Sequence, residues 1–173
     1  MPDKWVFPGG RIDRADYCAP VLRELRPEVA GALAATARLK RQDGARLARA
    51  LALTAVRETF EETGLVIGTM SDGRIEADLA GLAYVARAIT PPARHKRFDA
   101  RFLMADADTL DSLAPTDSRE LAEVAWFRID DCRGLDLPAI TRAVLEVVER
   151  RLAGVDAPPP FWRWIRGTPD SAA

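Results

Sequence analysis

Apolar residues recur at helical spacing over two long stretches of the chain. Val21, Leu22, Leu25, Val29 and Leu33 predict a helix from Pro20 to about Arg38. Gln42-Asp43-Gly44 breaks it, and a second helix is predicted from about Ala45 to Thr63. Gly64 suits the left-handed position just past that helix, with Leu65 packing back as the apolar partner of the cap. Leu53, Val56 and Phe60 fall on one face of the second helix, fit for a core. Leu47 and Leu51 extend the opposite face toward the N-terminus, so protein is expected to cover that half as well.

The remaining pattern is shorter and alternates. Strands are predicted at residues 65–68, 81–89, 97–104 and 123–129. In the third, Phe98, Ala100, Phe102 and Met104 alternate with Arg97, Asp99, Arg101 and Leu103. The fourth carries Val124, Trp126 and Phe127, with the two aromatic rings expected in the core. Trp5-Val6-Phe7 ahead of Pro8-Gly9-Gly10 reads as a strand entering a tight turn. A last helix is predicted from about Pro138 to Ala153, with Ile140, Val144, Leu145 and Val148 on its apolar side. Strands and helices mixed in this order indicate one α/β or α+β domain, residues 1–156. A Pro-rich and then aromatic tail follows, residues 157–173. Its Phe161, Trp162 and Trp164 leave two roles open: covering a sheet edge, or packing on a second subunit of a homodimer.

The polar face of the second helix changes the picture. Glu58, Glu61 and Glu62 stand at i, i+3 and i+4, on one face. Like charges at that spacing repel. Two of them also fall in the last helical turn, where the macrodipole favours cations. A sequence that accepts both penalties has a use for the carboxylates, and converging carboxylates commonly hold a hard divalent cation.

Composition mainly excludes. With 173 residues, 48% hydrophobic and 29% charged, the chain is an ordinary globular sequence able to bury a sizeable core. A net charge of −1 gives no field toward nucleic acid or an anionic membrane, and neither partner is expected. Arg94, Lys96, Arg97 and Arg101 cluster locally, either as a solvated strand face or as a seat for a phosphorylated ligand. Cys18 and Cys132 make no disulfide framework and read as reduced thiols of a cytoplasmic protein. No signal peptide is visible, and no apolar run approaches a membrane span.

The Gly9-Gly10 turn, together with a helix ending Arg57-Glu58-x-x-Glu61-Glu62-x-Gly64-Leu65, resembles the Nudix box. That signature belongs to hydrolases of nucleoside diphosphates linked to another moiety. The resemblance extends, more weakly, to Phe7-Pro8-Gly9-Gly10, to Arg97-Phe98-Asp99-x-Arg101-Phe102 and to Glu120-x-x-Glu123-x-x-Trp126-Phe127. It implies an α/β/α sandwich around a mixed sheet, with a helical insertion at residues 11–44 and a C-terminal helix. An insertion between the Gly pair and the box helix resembles the subgroup that includes acyl-coenzyme A diphosphatases. Two further departures stand out. The box has an early Glu eight positions before its Arg, where this chain has Arg49, so that carboxylate is displaced or absent. The family's first strands precede the Gly-Gly turn, and this chain begins only shortly before Gly9, so either the true start lies upstream or the member is shortened.

The resemblance implies a phosphoanhydride hydrolase assisted by Mg²⁺ or Mn²⁺, acting on a small nucleotide substrate, with coenzyme A or its acyl derivatives as the favoured class. Glu58 and Glu62 would be the primary metal ligands, with the Gly10 carbonyl as a further candidate. Glu61 would bind a second ion or act with the attacking water. Arg57 would orient a glutamate through a charged hydrogen bond. Glu120, with Glu123 behind it, is the candidate general base, and Arg97 and Arg101 suit the substrate phosphates. His95 receives no catalytic role. Two alternatives remain: a catalytically weak Nudix-like binding module, and an acidic helix end in an unrelated α/β protein.

Overall fold

The computed structural model describes residues 4–37, 43–91, 97–110, 112, 114–115, 123–165 and 168–172. It is a mixed α+β structure in which the chain groups into two compact units.

One unit comprises Pro8–Ala83 and Met104–Trp126. After a 3-10 turn at Ala15–Tyr17 come strand β1 (Val21–Arg23), helices α1 (Pro27–Ala34) and α2 (Gly44–Thr63), and strands β2 (Gly68–Ser71) and β3 (Arg74–Asp78). The helix expected from Pro20 is thus replaced at its start by β1, and helix begins only at Pro27. The cause is Pro27 itself. Proline lacks an N–H and clashes inside a helix, so it is accepted only in the first turn. It also drives the residue before it to extended backbone, and Arg26 has ψ 143°.

Helix α2 is closed at both ends by local chemistry. The Asp43 side chain accepts the Arg46 N–H at 3.1 Å, capping the start. Gly64 has φ 72°, and its N–H donates to the Phe60 carbonyl at 2.8 Å. Leu53 and Val56 are buried as the face pattern required, and Leu47 on the opposite side is buried too. Helix α1 packs against α2, with its Val29 and Leu33 buried. A fully buried leucine such as Leu33 contributes on the order of 2 kcal/mol.

A three-stranded sheet of order β1-β3-β2 completes this unit. β1 runs parallel to β3, pairing Val21 with Ala77 and Arg23 with Asp78. The Arg23 guanidinium engages both Asp78 oxygens and holds that carboxyl below its usual range. β2 and β3 form an antiparallel hairpin from Gly68↔Ala77 to Ser71↔Arg74. Asp72 and Gly73 make its two-residue turn with φ 49° and 73°, the positive pair that matches strand twist. The strand expected at 65–68 begins only at Gly68, and before it Ile67 makes a single bridge to Leu110.

The second unit comprises Met1–Phe7, Tyr84–Leu103 and Phe127–Ala173. Its strands are β4 (Ala83–Ile89), β5 (Asp99–Met104), β6 (Phe161–Ile165) and β7 (Thr168–Ala172), in sheet order β5-β4-β6-β7, with helix α3 (Ala139–Leu152) between β5 and β6 in sequence. The aromatic tail therefore carries a hairpin: β6 lies parallel to β4, with Arg87 opposite Phe161, and antiparallel to β7. Arg87 reaches both oxygens of Asp99 at 2.8 and 2.9 Å and lies 4.6 Å above the Phe161 ring.

Two expected strands do not form. Residues 123–129 are irregular, and both edges of β4 are already paired by β5 and β6. Trp126 and Phe127, expected in the core, are 55% and 39% exposed. Phe127 meets Trp5 edge-on, with ring centroids 4.7 Å apart. Residues 5–7 are likewise irregular, with the Trp5 N–H donating to the Asp136 carbonyl.

Gly68 combines φ 122° with close approach to the Glu76 carbonyl, which a Cβ would overlap. Gly68→Ala is expected to lower stability by about 2 kcal/mol or more through backbone strain, read as a lowered urea midpoint. An unchanged midpoint would contradict this account of the β2–β3 pairing.

Candidate functional site

The C-terminal half of α2 presents Arg57, Glu58, Glu61 and Glu62, and Arg57 organises them. A guanidinium has five N–H donors in a rigid fork, and here all five are engaged. Nε donates to Asp16 Oδ1 at 2.9 Å, and Nη2 to Asp16 Oδ2 at 3.0 Å and to the Arg11 carbonyl at 2.9 Å. Nη1 donates to Glu58 Oε1 and to Glu61 Oε2, both at 2.9 Å.

Asp16 is the anchor. Its side chain is 3% exposed, against 26% for Arg57. Besides Arg57 it accepts the Thr54 hydroxyl and the Asp13 N–H, each at 2.8 Å. Burial pushes this carboxyl up, but Arg57, Asp13 and Thr54 together outweigh it and hold Asp16 below the usual carboxylate range. Asp16 and Glu58 in turn hold Arg57 charged, above its ordinary range.

The Gly9-Gly10 segment, irregular and not the tight turn expected, lies against the same helix end. The Gly9 N–H donates to Glu62 Oε2 at 3.0 Å. Gly10 abuts the Glu58 carboxylate so closely that any Cβ there would overlap its oxygens. Glycine at this position is a steric requirement. Glu58 is 14% exposed and Glu61 51% exposed. The three carboxylates are thus gathered at one helix end but braced separately, Glu58 and Glu61 by Arg57 and Glu62 by Gly9. Among the described residues, no three His, Cys, Asp or Glu side chains form a ready cage for an ion.

The structure brings together Gly10, Arg57, Glu58, Glu61 and Glu62 of the sequence candidates. It adds Asp16, which sequence reasoning missed. The early carboxylate sought at Arg49 is absent from that point of the helix, where Arg49 pairs instead with Glu24 at 2.9 Å. A carboxylate reaches Arg57 from Asp16, 41 positions earlier. Nothing in the pattern Asp13-Arg14-Ala15-Asp16 singles out Asp16 from Asp13; only its packing against Thr54 does. Arg97 and Arg101 belong to the other unit. Arg97 is exposed, while Arg101 is largely buried and bound to Asp99, donating to its carbonyl at 2.7 Å. Glu120 and His95 lie outside the described residues. Among the described residues, no helix is long and apolar enough to cross a membrane.

No protein-family model matches the chain, and no curated protein matches it. Among solved structures it is similar to the crystal structure of a NUDIX hydrolase from Alicyclobacillus acidocaldarius, at 22% identity and a TM-score of 0.48. That match covers 92% of this chain and 84% of the other.

Removing Asp16 leaves Arg57 charged with two donors unmet. Asp16→Ala is expected to cost about 3 kcal/mol, the low end for breaking a buried pair, read by urea unfolding. The folded Asp16 carboxyl titrates below its unfolded value of about 3.9. Its stabilising contribution is therefore full above about pH 4 and is lost as pH falls through the lowered folded value. The variant should show a flatter loss of stability on acidification below about pH 4; parallel wild-type and variant curves would contradict the assignment.

Proposed function

We propose that the protein is a metal-dependent hydrolase of the Nudix type, cleaving the phosphoanhydride bond of a nucleoside diphosphate linked to another moiety. The observation that carries this reading is the Gly10–Glu58 approach beside Arg57. A glycine pressed on one box carboxylate, its neighbour bonded to another, and an arginine fixing two of the three make a built arrangement, not a solvated acidic face.

The donors present fit a hard divalent cation such as Mg²⁺ or Mn²⁺: carboxylate oxygens of Glu58, Glu61 and Glu62, and the Gly10 carbonyl. When bound, such an ion supplies charge neutralisation of the pyrophosphate and a lowered water pKa. The rest of the work falls to the chain. Glu58 and Glu62 would hold the ion, with their positions set by Arg57 and by the Gly9 N–H. Glu61 would orient the attacking water or hold a second ion. Arg57 positions carboxylates and does not touch substrate, because all five of its N–H groups are already spent. Glu120 is the sequence candidate for the base that takes the water proton, and Arg97 and Arg101 are the sequence candidates for the phosphates. The first substrates to examine are coenzyme A and its acyl derivatives, because residues between Gly9-Gly10 and the box helix build an added turn, strand and helix.

The protein incubated with coenzyme A, NADH or ADP-ribose and Mg²⁺ or Mn²⁺ is expected to release adenosine phosphates, and chelation should stop the release reversibly. Glu62→Gln, which removes one charged oxygen ligand of the ion, should lower kcat by on the order of 100-fold, with an unchanged circular dichroism spectrum. Gly10→Ala should weaken Mn²⁺ binding roughly tenfold by displacing Glu58. A folded wild type that binds no ion and releases no product would leave the binding-module reading in its place.

A further inference from the structure

If the reading above holds, an anionic pyrophosphate must approach a helix end that is itself anionic. Asp16, Glu58, Glu61 and Glu62 outnumber Arg57, and like charges repel. Arg57 has no donor left for a phosphate. Among the described cations of the same unit, Arg23 is bound to Asp78, Arg26 to Glu28, Arg49 to Glu24, and Arg46 lies over the Tyr17 ring. Arg11, Arg14 and Arg74 remain uncommitted.

Arg11 differs from the other two in how its backbone is held. It directly follows Gly10, and its own carbonyl accepts Arg57 Nη2 at 2.9 Å. On one side of it the Gly9 N–H is bound by Glu62, and on the other the Asp13 N–H is bound by Asp16. The loop is therefore tied at two points to the helix that bears the carboxylates and at a third to Asp16, which itself holds Arg57, while the Arg11 side chain is exposed and pairs with none of the glutamates. A cation on a fixed loop loses less freedom on binding than one on a loose loop. A guanidinium fork also matches two phosphate oxygens at once.

We infer that Arg11 is a substrate-binding residue whose guanidinium receives the diphosphate of the nucleotide at the box helix. This deepens the proposed hydrolase reading and rests on it. It places a phosphate contact on the Gly-Gly loop, within the unit that carries the glutamates.

The test is isothermal titration with α,β-methylene adenosine diphosphate in Mg²⁺, a probe whose bridge cannot be cleaved. Arg11→Ala should weaken binding about tenfold or more, the scale of one charge-assisted hydrogen bond. Arg11→Lys should recover part of the loss, since charge remains and the fork does not. Arg74→Ala should bind as wild type. Mn²⁺ titrated alone should bind wild type and Arg11→Ala equally, and circular dichroism should show both folded. With ADP-ribose, the Arg11→Ala defect should appear in KM more than in kcat. Wild-type binding of the probe by Arg11→Ala, alongside normal Mn²⁺ binding and turnover by the unsubstituted chain, overturns the role of Arg11 and leaves the hydrolase reading standing. An unsubstituted chain that binds neither Mn²⁺ nor the probe overturns the hydrolase reading, and the role of Arg11 falls with it.

Discussion

The Arg57–Asp16 pair is the constraint on which the rest of the site depends. Its two parallel hydrogen bonds fix the plane of the guanidinium, and that plane then dictates where the other three N–H groups point. They point at Glu58, Glu61 and the Arg11 carbonyl. One buried ion pair therefore sets two carboxylates and one loop simultaneously. A lone Arg–Glu pair on a helix surface would fix neither, because exposed pairs are worth little and exchange freely.

This arrangement explains how α2 tolerates an acidic end. Repulsion at i, i+3 and i+4 and an adverse helix dipole both act on Glu58, Glu61 and Glu62. Arg57 places a positive charge between Glu58 and Glu61, and the Gly9 N–H supplies a donor to Glu62. The left-handed Gly64 closes the helix without a side chain to crowd that end. Opposite this face, Leu53 and Val56 are buried. The helix is thus anchored by packing on one side and charge-balanced by Arg57 and the Gly9 N–H on the other.

What could be read from sequence follows the range of the interaction. Helix α2, its glycine cap and its two faces were legible because they depend on residues within a turn or two. The same holds for α3 and for the position of β5, but the expected alternation of β5 is not seen: every residue of the strand is half-buried, Phe98 ahead of it is exposed and the Arg101 side chain is largely buried. The Asp72-Gly73 hairpin turn was equally local, yet β3 was not foreseen, because its Arg-Ile-Glu-Ala-Asp run carries little apolar alternation. The hairpin of β6 and β7 was hidden for a different reason. Its ladder depends on β4, more than seventy positions earlier, and Pro158 to Pro160 disguise the approach as a tail. The converse error at 123–129 has the same root: apolar β-formers make a strand only where a ladder partner is open to them. The glutamates and Gly10 were legible as a motif, and Asp16 was not, since its role is created wholly by tertiary packing.

The distance in sequence between Asp16 and Arg57 costs the pair little. Loop closure costs about 0.6 kcal/mol per doubling of length. Compared with a partner two helical turns away, one 41 positions away therefore adds only about 1.5 kcal/mol. Leaving Arg57 without its buried carboxylate would cost roughly twice that. The intervening residues also return stability of their own, through α1 packed on α2 and β1 laddered to β3. What Arg57 requires physically is one buried carboxylate, and the path the chain takes to deliver it is energetically secondary.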